Sequence, residues 1–153
     1  MRYTLLIITA CFLFTACKKD KFTTVPQLKF KSVSPNAFFS GGTDRTLAPI
    51  LTISVTDAEG DLGFINGKDT SFIYLKNLLT NFVDSSLYLP NINTAAKKDF
   101  KGDIAINLFS VLGGSNRPRP KTDTLYFEVY IKDFAKNKSN VIKTSDPVFY
   151  ITP

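Results

Sequence analysis

A run of strict alternation limits this chain more than any other feature: Leu125, Phe127, Val129 and Ile131 interleave with Tyr126, Glu128, Tyr130 and Lys132. In an extended backbone successive side chains leave opposite faces, so this pattern sends one apolar row into a core and one polar row to water. A helix, with about 3.6 residues per turn, would spread both rows around its circumference. Leu28 and Phe30 alternate with Lys29 and Lys31 in the same way, and Leu51, Ile53 and Val55 with Thr52, Ser54 and Thr56. Residues 72–76, 86–89, 104–111 and 141–151 also read as strands.

Between these stretches lie Ser34-Pro35-Asn36, Ser40-Gly41-Gly42, Gly60-Asp61-Leu62-Gly63, Gly113-Gly114-Ser115-Asn116 and Arg117-Pro118-Arg119-Pro120. Glycine supplies positive φ and proline removes a ladder donor, so each cluster ends a strand. The expectation is an all-β domain over 27–153, an immunoglobulin-like antiparallel β-sandwich of about seven strands. It lacks the antibody hallmarks, having no tryptophan and no cysteine pair in that range. Leu75, Leu78, Leu79 and Phe82 stand at helical spacing, but Thr70-Ser71-Phe72-Ile73-Tyr74 before them is strand-like, so 74–83 is expected to be a strand running into a loop or a single helical turn.

The N-terminus has a different pattern. Met1-Arg2 is followed by an apolar run from Leu5 to Phe14, then Thr15-Ala16-Cys17 and Lys18-Lys19-Asp20. The run is far shorter than the roughly 20 apolar residues of a membrane-spanning helix and has the grammar of an export signal. With its cysteine directly after two small residues, the segment resembles the lipobox of bacterial lipoproteins, although Phe14 stands where that family usually has leucine. The resemblance implies that 1–16 is a cleaved signal peptide, that Cys17 is lipidated and becomes the mature N-terminus, and that 17–26 is a tether. Each acyl CH₂ buried in a bilayer contributes about 0.8 kcal/mol, so several chains on one residue hold a domain on a membrane.

Cleavage would leave 137 residues, one ordinary domain. It would also leave Cys17 as the only cysteine, so no disulfide forms within the chain. The net charge of +6 falls to +5 without Arg2, and the lysines are scattered. Nucleic acid is not an expected partner, because no aromatic-basic motif of the RNA-binding kind is present.

Two segments concentrate polar chemistry: Thr56-Asp57-Ala58-Glu59-Gly60-Asp61-Leu62-Gly63 and Asp133-Phe134-Ala135-Lys136-Asn137-Lys138-Ser139-Asn140. In an immunoglobulin-like order they are the connections that share one pole, so they can meet. Together they are similar to a group of small lipoproteins of the Bacteroidetes kind, in which one strand ends in an Asp-Gly-Asp loop and a later one in Asp-x-Ala-Gly-Asn-x-Ser-Asn. The resemblance spans most of 28–152 and implies a sandwich domain at the cell envelope without assigning an activity. Lys136 replaces that family's glycine, which argues against a need for positive φ there.

Asp57, Glu59, Asp61, Asp133 and Asn137 offer oxygens to a hard cation such as Ca²⁺, which takes six to eight. The competing expectation is that Asp and Asn at strand ends bond their own backbone in Asx turns, with no ion and no cofactor. Catalysis has little to work with. The chain has no histidine, so the usual general base and the commonest metal ligand are both missing. An acylated Cys17 is no nucleophile. Tyr126 and Tyr130, with Tyr88 nearby, fall on the outward row of the sheet and are candidates to touch a partner. The expected function is a membrane-anchored, non-catalytic envelope module that binds a protein or glycan. The alternative is a structural or accessory subunit of a surface uptake or envelope assembly. The outer membrane is the expected site, its face left open.

Overall fold

A computed structural model describes residues 22–64, 70–89 and 98–153. The segment expected to be a signal peptide, Cys17 and the first residues of the expected tether lie outside the described residues. Among the described residues there are ten strands: β1 Gln27–Ser34, β2 Ala37–Phe39, β3 Ile50–Asp57, β4 Phe72–Asn77, β5 Val83–Tyr88, β6 Phe100–Asn107, β7 Lys121–Leu125, β8 Phe127–Lys132, β9 Ile142–Lys143 and β10 Val148–Thr152. They pair in the orders β1-β3-β6, β2-β10-β7 and β5-β4-β8-β9, antiparallel throughout except that β2 runs parallel to β10. Only Tyr126 separates β7 from β8, and the β9–β10 segment pairs along both. The second and third sheets are therefore two halves of one bent layer facing β1-β3-β6. The ten strands lie on seven chain runs, and the fold is the immunoglobulin-like sandwich.

The alternating rows explain the core. Leu51, Ile53 and Val55 of β3 are wholly buried, as are Leu125, Phe127, Val129 and Ile131 across the β7–β8 junction. They pack with Leu28, Ile73, Leu75, Ile104, Ile106 and Val148 in one cluster spanning both layers. Along β1 the inward row changes parity, from Leu28 to Val33, because a bulge between Phe30 and Ser32 inserts one residue against β3. Simple alternation read from Leu28 would have placed Val33 in water.

The helical spacing of 75–82 yields to a hairpin. Leu75 is buried on β4, while Leu79 and Phe82 are exposed in the turn. Asn77 decides this locally: its Oδ1 accepts from the backbone N–H of Leu79 and Thr80, and its Nδ2 donates to the carbonyls of Val111 and Gly113. A buried amide satisfied on both ends stops the strand and sets the turn. β5 consequently begins earlier than the 86–89 expected from the sequence. Residues 104–111 also divide, into the end of β6 and a short 3-10 turn at Phe109–Val111.

Candidate functional site

β3 ends at Asp57, and the chain turns through Gly60 and Gly63, both at positive φ. β8 ends at Lys132, and the facing loop turns through Lys136, which takes φ 70° despite its side chain. That is the conformation glycine adopts most easily, so the expectation that a lysine here removes the need for positive φ is not met: the turn takes the left-handed region in spite of the side chain. The two loops meet. The backbone N–H of Phe134 donates to the Asp61 carbonyl at 3.0 Å, and that of Ala135 to Asp61 Oδ2 at 3.4 Å.

Most polar groups in the second loop are occupied by one another. Asp133 is fully buried, and its Oδ1 and Oδ2 accept from the backbone N–H and Nδ2 of Asn137 at 2.7 and 2.9 Å. Ser139 Oγ accepts from Ile131 N–H, and Asn140 exchanges two hydrogen bonds with the backbone of Leu28, tying the loop to β1. Burial raises the Asp133 pKa above the usual carboxylate value, against the pull of the Asn137 bonds.

The first loop is less complete. Asp57 is fully buried; its Oδ2 accepts from Asp61 N–H at 3.2 Å, and its Oδ1 has no partner. Asp61 Oδ1 is buried and unpartnered as well. The two carboxyl groups face each other. Burial, then the hydrogen bond and charge of Asp61, push the Asp57 pKa up to about 7. Leaving a buried acceptor unpaired costs about 1–3 kcal/mol, and more for a charged group. Glu59 is exposed at the loop tip. Of the five residues expected from the sequence, the fold pairs Asp57 with Asp61, closes Asp133 on Asn137 and leaves Glu59 on the surface. Among the described residues no three Asp, Glu, Cys or His side chains gather as a metal-holding group.

The tyrosines occupy the outer face of β5-β4-β8-β9. Tyr130 lies directly opposite Tyr74, a residue the sequence reading missed, and their rings stack at 4.5 Å and 7°. Rings stacked at the spacing of adjacent strands stand upright on the sheet, so this pair is not a flat platform. Lys132 and Lys138 lie over Tyr74 and Tyr130 at 5.3 and 4.1 Å, and Lys143 over Tyr126 at 5.2 Å. Tyr88 is exposed at the β5 edge with its ring 5.2 Å from that of Phe64. Tyr74 was legible, since it falls on the row opposite Ile73 and Leu75.

A third polar centre, also missed, holds the loop before β7. Asp123 is 1% exposed; it accepts from Arg117 Nη2 at 2.6 Å, Ser115 N–H at 2.9 Å and Ser115 Oγ at 2.7 Å, with Lys121 Nζ at 3.3 Å. The Arg117 bond, with those from Ser115 and Lys121, holds its carboxyl well below the usual range. A Cβ on Gly114 would lie 2.4 Å from Asp123 Oδ2, so only glycine admits this approach.

No family model, no curated protein and no solved structure matches the chain.

Proposed function

We propose that the chain is a non-catalytic lipoprotein of the bacterial envelope, anchored through Cys17, that binds a protein or glycan partner with the outer face of β5-β4-β8-β9. The observation that carries this reading is the charge of that face. Lys76, Lys132 and Lys138 lie around the Tyr74–Tyr130 stack and Lys143 over Tyr126, with Glu128 as the acid among them. Ammonium groups beside phenol edges favour a partner that brings acidic groups, whose approach they would steer.

The start of the domain fits a tether. Thr23 accepts from Ala58 N–H at 2.9 Å, so the chain enters beside the Asp57 loop. Five residues separate Cys17 from Thr23, at most about 20 Å of extended chain between the two. The Asp57 pole would then face the bilayer and the lysine face would stand roughly upright beside it. Among the described residues no helix is long and apolar enough to cross a membrane.

The test has two arms. Replacing Cys17 with Ser is expected to move the protein from the membrane pellet to the soluble fraction; continued pelleting, with no lipid lost from its mass, overturns the anchor. Lys132→Glu with Lys138→Glu is expected to abolish capture of the partner, read on an array of acidic glycans and by co-purification from detergent-extracted membranes. Undiminished capture removes the face from the proposal, and a stoichiometric membrane partner that survives the double change favours the accessory-subunit role.

A further inference from the structure

We propose that Asp57 and Asp61 together form a calcium site. Two carboxyl oxygens, Asp57 Oδ1 and Asp61 Oδ1, are buried with no donor from any other residue, and their side chains lie close enough to share a hydrogen bond once one of them is protonated. Asp57 is 0% exposed, so water does not relieve it. The ammonium on the facing loop is engaged elsewhere: Lys136 Nζ reaches the Thr70 carbonyl at 3.5 Å and lies 5.8 Å from the centre of the Phe72 ring. Two buried carboxyl oxygens with no other donor supply two of the six to eight oxygens that a calcium ion takes.

The remaining oxygens of both carboxylates are already fixed by backbone. Asp57 Oδ2 accepts from Asp61 N–H and Asp61 Oδ2 from Ala135 N–H, so an ion bound by the two Oδ1 atoms meets ligands whose positions are set in advance. Calcium suits this arrangement better than magnesium, because it accepts irregular shells completed by carbonyls and water, whereas magnesium demands a near-octahedral one. Only two side-chain carboxylates contribute, since Asp133 is held by Asn137. Affinity in the range of extracellular modules, about 10⁻⁴ to 10⁻³ M, follows. Bound calcium would pin the first loop in the conformation that holds the second, joining the two connections at the tethered pole. The site does not depend on the anchor or on the lysine face.

The test is a thermal titration of the full-length protein in detergent with calcium chloride, magnesium chloride as control, and chelator to reverse the effect. At a tenfold excess over a millimolar dissociation constant the melting temperature is expected to rise by about 3–6 °C. Magnesium should give less. Asp57→Asn and Asp61→Asn are each expected to remove the calcium response while the protein still melts cooperatively. Should Asp57→Asn fail to fold, the half-buried Asp61→Asn carries the test alone. A melting temperature unchanged by calcium up to about ten times the upper affinity limit overturns the site. So does an undiminished response in Asp61→Asn, which would place the ion elsewhere.

Discussion

Asp123 and Asp57 are the same residue type, equally withdrawn from water, and they titrate in opposite directions. Asp123 sits among Arg117, Lys121 and the two donors of Ser115, so its charge is answered from several sides. Asp57 has only backbone amides of its own loop, Asp61 N–H at 3.2 Å with Gly60 beside it, and a second carboxyl group opposite. Burial therefore does not decide the fate of an acid in this sandwich; the neighbours do. One cluster closes a loop, while the other holds unanswered charge at a pole where two loops touch. A structural lock satisfies its groups internally, and a group left unsatisfied points to something from outside.

The largest effect expected from this contrast is on pH dependence, because it engages both clusters. In chelator, with no divalent ion, Asp57 titrates at about 7 in the folded chain against the ordinary 3.8 unfolded. Between those values the folded state binds the extra proton, so stability falls as pH rises from about 4 to 7. Asp133 adds in the same direction. Asp123 has the opposite sign: its folded value is depressed, so its contribution is present above the unfolded value and is lost as pH falls through the folded one. Melting temperature against pH is thus expected to peak near pH 4–5 and decline on both sides. A maximum near pH 8 in chelator would mean that the Asp57 and Asp61 carboxyl groups do not face each other.

The next effect isolates the satisfied cluster. Asp123→Ala removes the acceptor shared by Arg117, Lys121 and Ser115. Arg117 is largely exposed and regains water, but the Lys121 side chain is only 10% exposed. A loss of about 2–4 kcal/mol is expected in urea unfolding at neutral pH, most of it from the two Ser115 donors and from the Lys121 ammonium, which loses its counter-charge and keeps its bond to the Ser115 carbonyl. A loss under about 1 kcal/mol would show that the loop relaxes and rehydrates its donors.

The two clusters were unequally legible. Strands such as β3 and β8 follow directly from the alternation of Leu51 to Val55 and Phe127 to Ile131, because a period of two has few other physical solutions. The meeting of the Asp57 and Asp133 loops follows from strand order. What could not be read is which oxygen finds a donor, since that depends on the path of a few backbone amides, among them the φ 70° of Lys136. The Phe30–Ser32 bulge is hidden for a related reason: one inserted residue leaves no mark in composition. Asp123 was legible in principle. It lies two residues before Leu125 on the inward row, where an acid demands a cation, and Arg117 and Lys121 stand close by in the chain.

The smallest effect is the most discriminating, because its sign is unusual for an interior change. Asp61→Asn keeps an oxygen to accept from Ala135 N–H and puts an amide nitrogen where the unpartnered oxygen was. That nitrogen can donate to Asp57 Oδ1, so a repulsive pair becomes a hydrogen bond to a charged acceptor. In chelator at pH 8 the variant is expected to be more stable than the parent by about 1 kcal/mol, seen as a higher urea midpoint at unchanged slope. Near pH 5 the gain should shrink, since a shared proton already joins the parent's carboxyl groups. The equivalent change at the other cluster, Asp123→Asn, would set an amide donor among existing donors and can only destabilise. If both changes lower stability at pH 8, Asp61 is a structural acceptor like Asp123, and the contrast between the two clusters fails.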